Sequence, residues 1–222
     1  MWHVVLTGPR SPDQRREALD FVAVSLGHHP GTLAVVHHCP QCGSEEHGAP
    51  SLVPSARALR DRARHPRAGG PPGPDLPAVS FSRAGGWLAT AWIDAAAAGR
   101  GWRIGIDMEV AVAPAFTAAE GLAAVGLSPD EAAAVSRLAP VDRPEARAML
   151  WSLKESVVKA RGTGFEQDPA AVSVTAPGTL DPRIPGHPEA VLVPGGQWPA
   201  GPPGQGLTGM LCLLRDQTPE GE

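Results

Sequence analysis

Between Trp102 and Val110 the chain alternates with a period of two: Trp102, Ile104, Ile106, Met108 and Val110 fall on one side, and Arg103, Gly105, Asp107 and Glu109 on the other. The pattern predicts a strand with two carboxylates on one face. Acidic groups at i and i+2 sit only about 7 Å apart and repel, and strands are depleted in Asp, so packing alone does not account for them. A hard divalent cation removes the repulsion. Carboxylate oxygens suit Mg²⁺, which keeps several waters and binds through a few acidic side chains plus substrate phosphate oxygens. Gly105, on the same face, is read as room for something bulky beside the metal.

A second segment bears on the first. From Pro144, the residues Ala146, Met149, Leu150, Leu153, Val157 and Ala160 recur at three- and four-residue steps, which predicts a helix with one buried stripe, stopped by Gly162. At about 100° per residue, Trp151, Glu155 and Lys159 stack on the opposite face, with Lys154 at its flank. Taken alone, Glu155 and Lys159 read as a solvated i,i+4 pair. The acidic strand upstream turns the balance toward a site.

With 222 residues the chain buries a full core, as one large domain or two small lobes. A net charge of only −4 supplies no general field for polyanions, so nucleic-acid binding has no compositional support. No apolar run approaches membrane-spanning length. Three cysteines, an odd number, and an opening without an apolar signal region point to a reducing cytoplasm.

Along the chain, Ser11-Pro12-Asp13-Gln14 predicts a helix start with Ser11 as N-cap, a stripe of Leu19, Val22 and Leu26, and a stop at Gly27. Cys39-Pro40-Gln41-Cys42-Gly43, followed by His47 and preceded by His37 and His38, has zinc-knuckle spacing but no second Cys-x-x-Cys pair. Residues 51–77 read as an Arg-, Pro- and Gly-rich loop carrying Arg57, Arg60, Arg62, Arg64 and Arg67. The strand Trp87 to Ile93 is expected to pair with the Trp102 strand across a loop from Asp94 to Gly101, with Trp87, Trp92 and Trp102 in the core. Ser128-Pro129-Asp130-Glu131 caps a short helix. Beyond Gly162, the blocks 171–174, 190–193 and 207–214 read as strands of a second small sheet packed on the main helix, with Cys212 inside.

Gly105-Ile106-Asp107-x-Glu109 and Trp151-Ser152-x-Lys154-Glu155-Ser156-x-x-Lys159, at this separation, together resemble the signature of the Sfp-type 4′-phosphopantetheinyl transferases of the holo-[acyl-carrier-protein] synthase superfamily. The resemblance implies an α/β (α+β) fold of two similar lobes, each with a small, mostly antiparallel sheet packed on a long helix. Residues 1–100 would form the coenzyme A side and residues 101–222 the lobe with the metal and the catalytic helix. It also implies a reaction: the serine of an apo acyl or peptidyl carrier protein attacks the β-phosphate of coenzyme A, takes the 4′-phosphopantetheine arm and releases 3′,5′-ADP.

In that reaction Asp107, Glu109 and Glu155 would hold Mg²⁺, and Glu155 or a coordinated water would take the serine proton. Lys159 would stabilise the departing phosphate, Lys154 would bind coenzyme phosphates, and Trp151 would position the helix or flank the arm. Arg15, Ser80 and Ser82 match phosphate-contacting positions of the family, whereas Phe81 and Ala49 stand where the family usually has His and Lys or Arg. One of the loop arginines is read as a substitute for those lost contacts.

The family's loops often carry Cys-x-x-Cys-Gly…His-Gly-x-Pro, which favours a family loop over a zinc site at Cys39, Cys42 and His47. The segment after Val110, with Phe116, Leu122 and Leu127, is where the family engages the carrier protein. The chain is expected to work as a monomer. The alternative is an impaired member that binds coenzyme A or a carrier protein without transfer.

Overall fold

The computed structural model describes residues 1–39, 42–64, 76–118, 121, 126–164, 168–198 and 206–215. Strand β1 (Trp2–Thr7) leads to helix α1 (Gln14–Ser25), and a hairpin of β2 (Leu33–His38) and β3 (Ala49–Pro54) runs into helix α2 (Ala56–Arg64). Next come β4 (Ala78–Ala84), β5 (Trp87–Ile93), the short helix α3 (Ala95–Gly99) and the acidic strand β6 (Trp102–Val110). Helices α4 (Pro114–Thr117), α5 (Pro129–Ser136) and α6 (Arg143–Arg161) precede the closing strands β7 (Val191–Pro194) and β8 (Leu207–Arg215). The strands form three small antiparallel sheets in the orders β1-β5-β4, β2-β3 and β6-β8-β7.

The alternation along β6 is realised as a strand covered on both faces. Ile104, Ile106 and Met108 pack with Val4, Ala89, Ala91 and Ile93 of the first sheet. The opposite face lies under α6, whose Leu153, Val157 and Ala160 meet Met210, Cys212 and Leu214 of β8. In the register, Gly105 stands opposite Cys212 and Asp107 opposite Met210, so both belong to the helix-facing side.

The first sheet and β6 meet along a seam with a specific chemistry. The outer edge of β6 would leave its N–H groups without ladder partners, a costly state in the interior. Two serines of β4 cap them: Ile106 N–H donates to Ser80 Oγ (3.1 Å) and Met108 N–H to Ser82 Oγ (3.1 Å).

Several expectations are corrected here. Trp87–Ile93 does not pair with the acidic strand; it lies between β1 and β4, and the link to β6 contains α3, capped by Asp94, whose Oδ1 accepts from Ala97 N–H (2.7 Å). Residues 51–64 are not loop but the end of β3 and then α2. Residues 171–174 form no strand, although Val172 and Val174 are still buried against α6. Helix α1 is capped by Asp13 rather than Ser11, its carboxylate accepting from Arg16 N–H (3.0 Å). The capping box at Ser128 and Glu131 forms as read, and Gly162 ends α6 at φ +74.

Gly105 does not make room for a ligand. A Cβ there would lie 1.9 Å from the carbonyl oxygen of Ser156 and 2.6 Å from Ala160 N, so the missing side chain lets α6 lie directly on β6. That approach also changes the helix: ten of its nineteen residues are buried, and they surround it rather than forming one stripe. Phe116 (1 % exposed) and Leu127 (7 %) belong to the packing around it and cannot form a docking surface for a carrier protein; Leu122 lies outside the described residues.

Gly105→Ala is expected to push α6 off β6 and cost about 1–3 kcal/mol or more. Urea unfolding followed by circular dichroism measures it; stability within a few tenths of a kcal/mol of wild type would refute the close-approach reading.

Candidate active site

Asp107 and Glu109 leave β6 on the side covered by α6, and Glu155 and Lys159 leave α6 one turn apart facing them. The Lys159 ammonium lies 2.7 Å from Asp107 Oδ1, 3.3 Å from the Ile106 carbonyl and 3.9 Å from Glu155 Oε2. Ser82 Oγ also donates to Asp107 Oδ1 (2.9 Å). Asp107 is 3 % exposed, yet its Oδ2 has no hydrogen-bond partner. A buried carboxylate oxygen without a partner is costly, and a cation is its natural complement.

Three carboxylates around one ammonium leave a surplus of negative charge. Burial, together with repulsion from Asp107 and Glu155, raises the Glu109 carboxyl to about 7 against the opposing pull of Lys159. Glu155 is also raised, chiefly by burial, with Lys159 opposing and Asp107 reinforcing the shift. Among the described residues the three carboxylates do not draw their oxygens within 4.8 Å of one another, and Lys159 bridges Asp107 and Glu155. The arrangement is an open acidic site rather than a closed cage.

The two lysines of the helix have opposite fates. Lys154 is fully buried and spends its ammonium on Glu131 Oε2 (2.8 Å) and on the carbonyls of Pro169 and Val172 (2.9 Å each). An ammonium has three donors, so none remains for a phosphate. The expected role of Lys154 in coenzyme binding is therefore corrected: it ties α6 to the capped start of α5 and to residues 169–172. Trp151 is 7 % exposed among Ala111, Phe116 and Ala148, which fits positioning the helix and excludes flanking a ligand.

The serines of β4 are likewise committed. Ser80 and Ser82 are buried at the seam with β6, and Ser82 both accepts from Met108 N–H and donates to Asp107. They orient the acidic strand instead of presenting hydroxyls to a phosphate.

Arg15 is placed differently. Its guanidinium lies 4.5 Å from the centre of the Phe81 ring, on the side of β4 away from those serines. Burial and the neighbouring Arg83 guanidinium lower its pKa, Asp13 opposing. Arg83 donates to Gln14 Oε1 (2.6 Å). Two cations held near each other attract an anion, so Phe81, which cannot itself bind phosphate, supports a residue that can. Arg83 was not singled out from the sequence; its alternation with Ser82 on β4 was the available signal. Of the other arginines, Arg57 is exposed and loosely paired with Asp61 (3.8 Å) and Arg60 is exposed, while Arg67 and the side chains of Arg62 and Arg64 lie outside the described residues. Ala49 is exposed at the start of β3.

Residues 103–192, from the acidic strand through α6 to the start of β7, match the 4′-phosphopantetheinyl transferase superfamily. Over that segment the chain is similar to a domain of that superfamily. Among curated proteins, none matches the chain. The matched segment contains Asp107, Glu109, Glu155 and Lys159, and Arg15, Ser80 and Ser82 precede it. The chain's mixture of helices and small antiparallel sheets agrees with the α/β (α+β) transferase fold. Among the described residues, no helix is long and apolar enough to cross a membrane.

Lys154→Ala leaves Glu131 buried without its cation and is expected to cost about 3–5 kcal/mol, the range for breaking a buried pair. Chemical denaturation checks this; a fully stable variant with only weakened coenzyme A binding would restore Lys154 to the ligand site.

The raised Glu109 carboxyl has a pH signature. Its folded pKa, about 7, lies above its ordinary value of 4.5, so the folded chain holds more protons between these limits and loses stability as pH rises through them. In metal-free protein, Glu109→Gln is expected to stabilise by about 1 kcal/mol, or about 2–4 °C, above pH 7 after allowance for solvent screening. Near pH 4.5 the gain vanishes. Melting curves at the two pH values test it, and an equal gain at both would refute it.

Proposed function

We propose that the protein is an Mg²⁺-dependent transferase that moves the 4′-phosphopantetheine arm of coenzyme A to a serine of an apo acyl or peptidyl carrier protein, in the manner of the Sfp-type enzymes. The observation that carries this reading is the unpartnered, buried Oδ2 of Asp107 in an acidic site facing Lys159, within the segment similar to the transferase superfamily.

Asp107, Glu109 and Glu155 are the residues that would hold Mg²⁺. Hard oxygen donors and surplus negative charge suit it, and the ion supplies charge neutralisation on the diphosphate. Lys159 would release Asp107 Oδ1 in that state and turn toward the diphosphate, where its ammonium stabilises charge on the leaving 3′,5′-ADP.

In the transfer, the serine oxygen forms a bond to the β-phosphorus and the bond from that phosphorus to the bridging oxygen breaks. The leaving group keeps that electron pair. The serine proton would pass to Glu155 or to a coordinated water; burial and repulsion from Asp107 raise the Glu155 carboxyl against the pull of Lys159, which favours its taking a proton. Arg15 and Arg83 form the positive group suited to the remaining phosphates of coenzyme A. We also read residues 1–100 and 101–222 as two lobes meeting at the Ser80 and Ser82 seam.

The test is incubation with coenzyme A, Mg²⁺ and an apo carrier protein, followed by mass spectrometry. The expected result is a mass gain equal to one phosphopantetheine arm, reduced at least about 100-fold by Asp107→Asn, as for loss of a preorganised electrostatic contact. Tight coenzyme A binding in calorimetry without any mass gain across several carrier proteins would instead favour the impaired, binding-only reading.

A further inference from the structure

The excursion between β2 and β3 carries a second cluster of ligating side chains. Cys39 Sγ, Cys42 Sγ and a ring nitrogen of His47 all lie within 4.8 Å of one another, with Cys42 Sγ 3.3 Å from His47 Nε2. No disulfide joins Cys39, Cys42 or Cys212 among the described residues. Cys39 is buried, whereas Cys42, Gly43, Glu45, Glu46, His47 and Gly48 are exposed. A loop this polar has little apolar surface with which to hold three such groups together.

The backbone brings them together in two steps. Gly43 N–H donates to the Cys39 carbonyl (2.8 Å) and Cys39 N–H to the Ser44 carbonyl (2.9 Å), a tight turn that folds Cys42 back beside Cys39. Gly48 then crosses the end of β2 at φ +108, where a Cβ would lie 2.3 Å from the His38 carbonyl oxygen. Glycine allows that crossing, and it sets His47 against the cysteines. The His37 ring nitrogen Nδ1 lies 3.0 Å from the Gly48 carbonyl and braces the same crossing.

We infer that Cys39, Cys42 and His47 form a zinc site, with a water in the fourth position. Two thiolates and an imidazole are what Zn²⁺ prefers, at about 2.3 Å for sulfur and about 2.0 Å for nitrogen, so three ligand atoms this close can share one tetrahedral ion. Mg²⁺ is a poor match for thiolates, which separates this site from the carboxylates of β6 and α6. The site would stiffen a loop that abuts the long helix: a Cβ on Gly162, the cap of α6, would lie 3.9 Å from that of Ala49, the residue after Gly48. The inference stands on these residues alone and does not depend on the transferase reading.

The experiment is metal analysis of the full-length protein purified without chelator, then stripped and titrated with zinc or cobalt. The expected result is about one zinc per chain, retained by Asp107→Asn and lost in Cys42→Ser and His47→Ala. Both substituted side chains are exposed, and circular dichroism checks that the variants fold. Cobalt in the wild-type chain gives a thiolate charge-transfer band, and zinc uptake releases protons from the thiols. The inference is overturned if stripped wild-type protein takes up no zinc, if Cys42→Ser and His47→Ala take up as much as wild type, or if alkylation mass mapping finds Cys39 and Cys42 joined as a disulfide.

Discussion

The arrangement depends on the direct contact between α6 and β6 at Gly105. Because nothing stands between the strand backbone and the carbonyl of Ser156, the helix sits low enough for the Lys159 ammonium to reach Asp107 at 2.7 Å. A helix lifted by one side chain would carry Glu155 and Lys159 away from the strand. The site would then dissolve into two solvated surfaces. A packing requirement at one glycine is thus also an electrostatic requirement of the site.

The same economy governs the other contacts of the acidic strand. The serines of β4 satisfy the edge N–H groups of β6, and one of them also donates to the carboxylate of that strand. Lys154 and Glu131 close the far side of the helix with a pair whose ammonium is fully engaged. Glu131 Oε1 is left buried without a hydrogen-bond partner, as Asp107 Oδ2 is, but around Asp107 burial and neighbouring carboxylates also raise Glu109 and Glu155. Local consistency is broken where the chemistry is expected, as is common at functional sites.

The substitutions that seemed to weaken the family pattern take on a different meaning in three dimensions. Phe81 contributes no hydrogen bond, yet it carries the Arg15 guanidinium on its face beside Arg83. The ring face attracts the guanidinium electrostatically and so helps to place it. The Cys212 thiol, in contrast, is plain core: burial beside β6 pushes it up to about 12 and removes it from any reactive role.

Periodicity alone determined that Asp107 and Glu109 share one face of a strand and that Glu155 and Lys159 share one ridge of a helix. Both follow from local geometry that no tertiary contact alters. It also marked the caps at Ser128 and Gly162, which are short-range backbone chemistry. Tertiary structure decided which lysine faces the carboxylates and which is entombed, because that depends on α5 and residues 169–172 covering one side of the helix. It likewise decided that Ser80 and Ser82 serve a seam, that Gly105 admits a helix rather than a ligand, and that His47 comes to the two cysteines. Each is a contact between residues distant in sequence or turned by a positive-φ glycine, and neither side-chain period nor spacing encodes what will lie across the gap.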